Sequence, residues 1–338
     1  MQLSTGQIKE MTFGKIGVTE STDGIAFERF TRAQASAFDH CHDRWHPFLN
    51  DDYFLNNCST DSCVMLDMMT DAREVTFRIS SITPANDSTM TETDLLVDGH
   101  FRQTIRTAGN CTVRLRPTRD GRLRRVTLVF PYFARLVLSG VTVNDGAYVC
   151  PVHRSGLWLA LGDSITHGVC ASSPSRTYMG RMAISSGMEV INQANSGYVH
   201  DARVLAPLPD GRQPDLVTVA YGINDWGVKS RDANRTDMIA FYEKLTGLYP
   251  SARILMLSPV WAVFMGGTPM TTLGDMYAMF TDVQSHFASR VTLIDGLSLV
   301  PHRPELFCPD GVHPNDAGFS FYASRLSRHI ARSIRNNE

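Results

Sequence analysis

Lysine is scarce in this sequence, with four residues (9, 15, 229 and 244) in a total of 32 Lys and Arg. This bias reads as a property of composition and points to no function. An excess of charge of either sign is also missing, because 34 Asp and Glu leave a formal net charge of -2. Without a basic field, no nucleic-acid partner and no anionic membrane partner is expected. The seven cysteines (41, 58, 63, 111, 150, 170 and 308) include no Cys-x-x-Cys pair. They are expected to be reduced, packed thiols rather than a disulfide framework. The first twenty residues contain no apolar leader core, and no run approaches the ~18 apolar residues of a membrane span. The expectation is a soluble, cytoplasmic protein, although a chain trimmed of a secretion leader would read the same.

What is present is ordinary globular composition, 43% hydrophobic and 20% charged with 25 Gly and 16 Pro. A length of 338 residues is about twice the ~150-residue prior for one domain, so two domains are expected. Their textures differ. Between Gly24 and Val143 short apolar runs alternate with period two, as in Val64-Met65-Leu66-Asp67-Met68 and Val75-Thr76-Phe77-Arg78-Ile79, the pattern of half-buried strands. Asp98-Gly99 and Asp120-Gly121 lie in segments that favour tight hairpins. Residues 1–150 are therefore expected to form an antiparallel β-sandwich. Beyond Cys150, continuous apolar runs at 157–161, 216–220, 254–257 and 291–294 alternate with candidate helices near 175–187, 233–248, 273–289 and 316–334. This order predicts a three-layer α/β domain with a parallel sheet over 151–338, joined to the first through a linker at 143–146. Ligands of such sheets bind beyond the carboxyl ends of the strands.

The residues at those ends carry chemistry. Gly162-Asp163-Ser164 follows the first strand, Asn195-Ser196-Gly197 the second, and Gly222-Ile223-Asn224-Asp225 the third. Asp310-Gly311-Val312-His313 lies near the C-terminus on a Pro- and Gly-bearing loop. Each segment alone reads equally well as turn and cap chemistry. A parallel sheet, however, gathers all four on one rim. Together they resemble the ordered blocks of the SGNH (GDSL) hydrolase family, over about residues 156–320. One departure is Ala194, where the second block of the family often carries a Gly.

Acyl transfer needs a nucleophile, a base, a group orienting the base, and donors aimed at the oxyanion. Ser164 is the candidate nucleophile, His313 the base and Asp310 its orienting partner. The resemblance implies an oxyanion hole from the N–H groups of Ser164 and Gly197 and the amide of Asn224. It implies a serine esterase working through an acyl-Ser164 intermediate, with no cofactor and no metal. A β-sandwich before such a domain resembles the two-domain carbohydrate acetylesterases, so a small-molecule or oligosaccharide ester is the expected partner. A lipid or thioester hydrolase on the same rim is the alternative. A two-metal phosphoesterase and a non-catalytic glycan-binding protein are weaker readings. The sequence lacks the Gly-x-Ser-x-Gly elbow of ordinary α/β-hydrolases and lacks a P-loop.

Asp163 and Asp225 read as loop braces rather than reacting groups. With Tyr198, Trp226 and Trp261, which follow rim segments, they complete the set of substrate-pocket candidates; core packing explains each aromatic equally well. His40, Cys41, His42 and His46 form a tempting metal group, but no partner ligands follow at finger spacing, and a polar loop is the preferred reading. The arginines between 106 and 125 alternate with apolar residues and are expected on a solvated sheet face.

Overall fold

The computed structural model describes residues 1–39, 52–118, 120–263 and 273–335. The chain opens with α1 (Thr5–Glu10), β1 (Thr12–Phe13), β2 (Gly17–Ser21), β3 (Gly24–Glu28), α2 (Arg32–Asp39) and α3 (Tyr53–Cys58). Eight strands follow: β4 (Met65–Thr70), β5 (Glu74–Pro84), β6 (Thr93–Val97), β7 (His100–Ile105), β8 (Gly109–Arg114), β9 (Arg124–Val129), β10 (Ala134–Val143) and β11 (Val149–Pro151). They form two antiparallel sheets, ordered β1-β4-β9-β6-β7 with β11 on β4, and β2-β3-β10-β5-β8. Alternate residues from both sheets, such as Val75, Phe77, Leu136 and Leu138 against Leu66, Leu95, Val126 and Leu128, share one hydrophobic cluster.

The Asp98-Gly99 turn joins β6 to β7 with positive φ at both residues, 51° and 74°, as a two-residue hairpin of matching twist requires. Asp120-Gly121 does not form a hairpin. β8 pairs with β5 and β9 with β4 and β6, so this segment crosses between sheets. The arginine stretch also departs from expectation in part. The side chains of Arg114 and Arg122 are 88% and 81% exposed, whereas Arg125 turns inward to Asp67.

The second half runs β12 (Leu157–Gly162), α4 (Ser164–His167), α5 (Tyr178–Ser185), β13 (Glu189–Asn192), β14 (Leu216–Ala220), α6 (Ile223–Val228), α7 (Arg231–Leu248), β15 (Arg253–Leu257), α8 (Leu273–His286), β16 (Val291–Ile294) and α9 (Asp316–Arg335). Its five strands are all parallel in the order β13-β12-β14-β15-β16. Both faces are covered, which is why β12 is apolar throughout. Leu157, Leu159 and Leu161 pack with α7 and α8 residues on one face. Trp158 and Ala160 pack with α5 and α9 residues on the other. The α9 stripe of Phe319, Tyr322, Ala323, Leu326 and Ile330 follows helical spacing. Among the described residues, no helix is long and apolar enough to cross a membrane.

The two halves share buried surface. Cys63 and Met65 belong to the same cluster as Trp158, Met182 and Val190. Asp67, fully buried on β4, accepts hydrogen bonds from Arg125 at 2.9 and 2.7 Å and from Thr127 at 2.7 Å. It also pairs with Arg154, whose Nη1 donates to the carbonyl of Ala183 on α5 at 2.9 Å. Removing one partner of a buried pair costs about 3–5 kcal/mol, since the other charge stays buried. Asp67→Asn is therefore expected to lower unfolding free energy by about 3 kcal/mol in urea titrations. A loss under ~1 kcal/mol, the range of an exposed pair, would mean that the pairing does not hold the halves.

Candidate active site

In the strand order 2-1-3-4-5, the crevice lies where connections leave the sheet in opposite directions, between the first and third strands. Here those are β12 and β14. The chain turns sharply after β12: the Asp163 carboxylate accepts the Ile165 N–H at 3.0 Å and caps α4, and Gly168 ends this single turn at φ 119°. Ser164, the first residue of α4, is thereby held at the sheet edge.

The loop from Phe307 to Pro314 reaches it from the other side. It is closed by a bridge between those two residues, by Cys308 N–H to the His313 carbonyl at 2.8 Å, and by Gly311 N–H to the Cys308 carbonyl at 2.9 Å. His313 Nε2 lies 2.7 Å from Ser164 Oγ, and His313 Nδ1 lies 2.7 Å from Asp310 Oδ2. The other carboxylate oxygen of Asp310 accepts the N–H groups of Val312 and His313 at 2.8 and 3.0 Å. Partial burial pushes the Asp310 pKa up, but these two N–H groups and the His313 ring outweigh it and hold it at about 2. It is a carboxylate at any working pH. On its far side, Cys170 Sγ lies 3.6 Å from Oδ2.

Gly197 follows β13 with φ 81°, a left-handed backbone that a Cβ would strain. Asn224, on α6, donates from Nδ2 to the Tyr198 carbonyl at 3.0 Å, which fixes its amide against the Gly197 loop. The structure thus gathers Ser164, Gly197, Asn224, Asp310 and His313 around the ends of β12, β13 and β14. Asp163 is buried beside them, lining a cavity of about 20 Å³ with Ile165, Tyr221, Val260 and Val312.

Two pocket candidates are corrected. Tyr198 is 1% exposed, with its ring edge-on to Phe38 at 4.5 Å and Phe54 at 5.1 Å; it is core. Asp225 is fully buried. It accepts the His200 N–H at 3.0 Å, lies 3.1 Å from His200 Nδ1 and pairs with Lys229 at 2.9 Å. Burial opposes its charge, but His200 and Lys229 outweigh it and hold it below the usual carboxylate range. It braces the loop behind Asn224. Trp226 and Trp261 are half-buried; Trp261 stacks on His302 at 5.5 Å. The His40, Cys41, His42 and His46 group lies outside the described residues.

The first half contributes residues that no local signal marks. Arg29, fully buried, donates from Nε to the Thr60 carbonyl at 2.6 Å and from Nη2 to Asn57 O and Thr60 Oγ1 at 2.9 and 2.7 Å. Its Nη1 reaches the carbonyls of Asn192 and, at 3.2 Å, Ala194. Asn57 donates to Asn195 Oδ1 at 3.1 Å, and Tyr53 OH lies 3.3 Å from Ser196 Oγ. The segment leading into Gly197 is thus anchored by residues more than a hundred positions earlier in the chain. Burial lowers the Arg29 pKa to about 10, so it stays charged at neutral pH.

Residues 160–320 match the sequence model of the GDSL-like Lipase/Acylhydrolase family. The chain is 27% identical over 201 residues to a GDSL lipase, Rv0518, of Mycobacterium tuberculosis, covering 52% of this chain and 81% of that one. Among solved structures it is similar to the salicylyl-acyltransferase SsfX3 of a tetracycline biosynthetic pathway, with a TM-score of 0.81 at 20% identity over 98% and 97% of the two chains. A family two carbohydrate esterase from Cellvibrio japonicus gives a TM-score of 0.67 at 15% identity over 100% of this chain and 99% of that one.

Two outcomes are expected. Arg29→Met leaves several buried carbonyls without donors, at about 1–3 kcal/mol each. It should shift the thermal midpoint down far more than Arg114→Met on the exposed sheet face; equal shifts would show that the clamp is dispensable. Burial, reinforced by Asp225, raises Asp163 from 3.8 to about 7. Between these values the folded state holds a proton that the unfolded chain has lost, so this group's contribution to stability falls as pH rises from about 4 to 7 and is level above. Asp163→Asn keeps the acceptor for Ile165 and should flatten that decline in urea midpoints measured across pH; an unchanged profile overturns the assignment.

Proposed function

From the match of residues 160–320 to the GDSL-like Lipase/Acylhydrolase family, we propose that this chain is a serine esterase acting on short-chain esters, foremost acetyl groups on carbohydrates. The observation that carries this reading is the continuous line from Asp310 through His313 to Ser164, with 2.7 Å at both junctions.

Along that line His313 Nε2 accepts the Ser164 hydroxyl proton as Oγ attacks the ester carbonyl. Asp310, ionised, keeps the Nδ1 proton in place and stabilises the imidazolium. The oxyanion forms against the N–H groups of Ser164 and Gly197 and the second N–H of the Asn224 amide. His313 then returns the proton to the leaving alcohol, and water repeats the sequence on the acyl-Ser164 ester. The alcohol leaves before water attacks the acyl-Ser164 ester, so the cycle is ping-pong.

The carbohydrate preference rests on architecture. We read residues 1–150 as a jelly-roll-like β-sandwich unit before a catalytic unit of 151–338, an organisation shared in outline with the carbohydrate esterase above. Half-buried Trp226 and Trp261 would wall the side where the sugar lies.

The test is a panel of p-nitrophenyl esters from acetate to octanoate, with acetylated oligosaccharides. Ser164→Ala should abolish hydrolysis of all of them. Asn224→Ala should lower kcat by about 100- to 1,000-fold with a smaller effect on KM. Rates rising toward octanoate would replace the acetyl reading by the lipid or thioester one. Full activity of Ser164→Ala would remove the catalytic assignment altogether.

A further inference from the structure

Cys170 lies two residues past the Gly168 that ends α4, in a left-handed conformation with φ 72°. Its Sγ is 3.6 Å from Asp310 Oδ2, the oxygen that faces His313 Nδ1 at 2.7 Å. One donor atom from each of Cys170, Asp310 and His313 lies within 4.8 Å of the other two. Cys308 adds a second sulfur, 3.7 Å from the Cys170 carbonyl oxygen. Cys170 and His313 are half-buried and Asp310 is exposed, so an ion from solvent can reach the cluster. Thiolate, imidazole and carboxylate are the donor types of Zn²⁺, and bonds of ~2.0–2.3 Å in a tetrahedron set donors roughly 3.3–3.6 Å apart, so the Asp310–His313 pair opens from 2.7 Å while Cys170 keeps about its place.

We propose that Cys170, Asp310 and His313 form an inhibitory site for a thiophilic divalent cation of the Zn²⁺ class. Binding displaces the Cys170 thiol proton to solvent and gives the His313 Nδ1 lone pair to the metal. A neutral imidazole bound through Nδ1 carries its proton on Nε2. Nε2 then faces Ser164 Oγ as a donor and cannot accept the hydroxyl proton. Asp310, turned to the metal, no longer orients the ring. The cation would thus stop the reaction by fixing the wrong tautomer, without covering Ser164. The inhibitory half of this inference rests on the proposed esterase reading; the binding half does not.

Cd²⁺ titrated into the metal-free full chain reports binding through its thiolate charge-transfer absorption, and Zn²⁺ is used for inhibition. Wild type should show the band, saturate with one ion per chain, lose esterase activity in step with occupancy and recover it with EDTA. Cys170→Ser should bind at least about 10- to 100-fold more weakly and resist Zn²⁺ relative to its own metal-free rate. Cys170→Gly, suited to the left-handed φ, is the second variant if the first unfolds. Cys41→Ser controls for the thiol among His40, His42 and His46 and should keep the band. Ser164→Ala should bind Cd²⁺ like wild type, which separates a failure of this site from a failure of the catalytic reading. A missing band in wild type, a band that survives in both Cys170 variants, or occupancy without loss of activity would overturn the proposal.

Discussion

A charged guanidinium inside a protein is costly unless its donors are satisfied, and Arg29 meets that condition only where the two halves of this chain meet. Thr60 and Asn57 supply oxygens from one side, Asn192 and Ala194 from the other. Neither half alone can complete the set. The constraint runs both ways, because the same bonds fix the backbone that ends β13 and enters the turn at Gly197. The proposed oxyanion hole, built in part from backbone N–H groups, depends on where that backbone is held, and the holding atoms belong to the first half. The first half thus supports this segment from behind.

The same tying recurs around Ser164. Asp94 on β6, fully buried, accepts the Ser173 and Ser175 hydroxyls at 2.6 and 2.5 Å, which pins the loop following α4. Tyr132 OH donates to the Ala171 carbonyl at 2.5 Å. Thr60 Oγ1 lies 2.9 Å from His167 Nε2 at the end of α4. The turn that carries Ser164 is a single one, and these cross-contacts add the rigidity that the proposed nucleophile needs.

Periodicity made the parallel sheet legible, because a strand covered on both faces must be largely apolar, and 157–161 and 254–257 are apolar throughout. The residues at the strand ends were legible for a related reason: Ser164, Asn224, Asp310 and His313 lie in short polar segments whose order along the chain matches a family pattern. Arg29, Asn57 and Cys170 were not legible. Each acts through a contact with a residue 138 or more positions away in sequence, and such pairings leave no trace in local composition. Asp120-Gly121 failed for the opposite reason. Its local chemistry favours a hairpin, but β8 and β9 each gain more by pairing within different sheets, and tertiary pairing overrides turn preference. Tyr198 follows Gly197 as a pocket aromatic would, yet its ring completes the core against Phe38 and Phe54.

The three aspartates nearest the site show how one residue type is given three behaviours. Asp310 sits near solvent with two backbone N–H donors and the His313 ring, and is held at about 2. Asp225 is fully buried but enclosed by His200 and Lys229, so it stays charged and braces Asn224. Asp163 is equally buried with no such cation, so burial dominates and pushes it to about 7. The difference matters for the proposed cycle. There an ionised Asp163 next to Ser164 would oppose the oxyanion, whereas a proton on it would leave the Ser164 edge of the site less negative. The charge on Asp310 would help, because it is placed beyond His313, where it would favour the imidazolium and be separated from the oxyanion by the ring. Hydrogen-bond donors set the state of Asp310, neighbouring His200 and Lys229 that of Asp225, and burial that of Asp163.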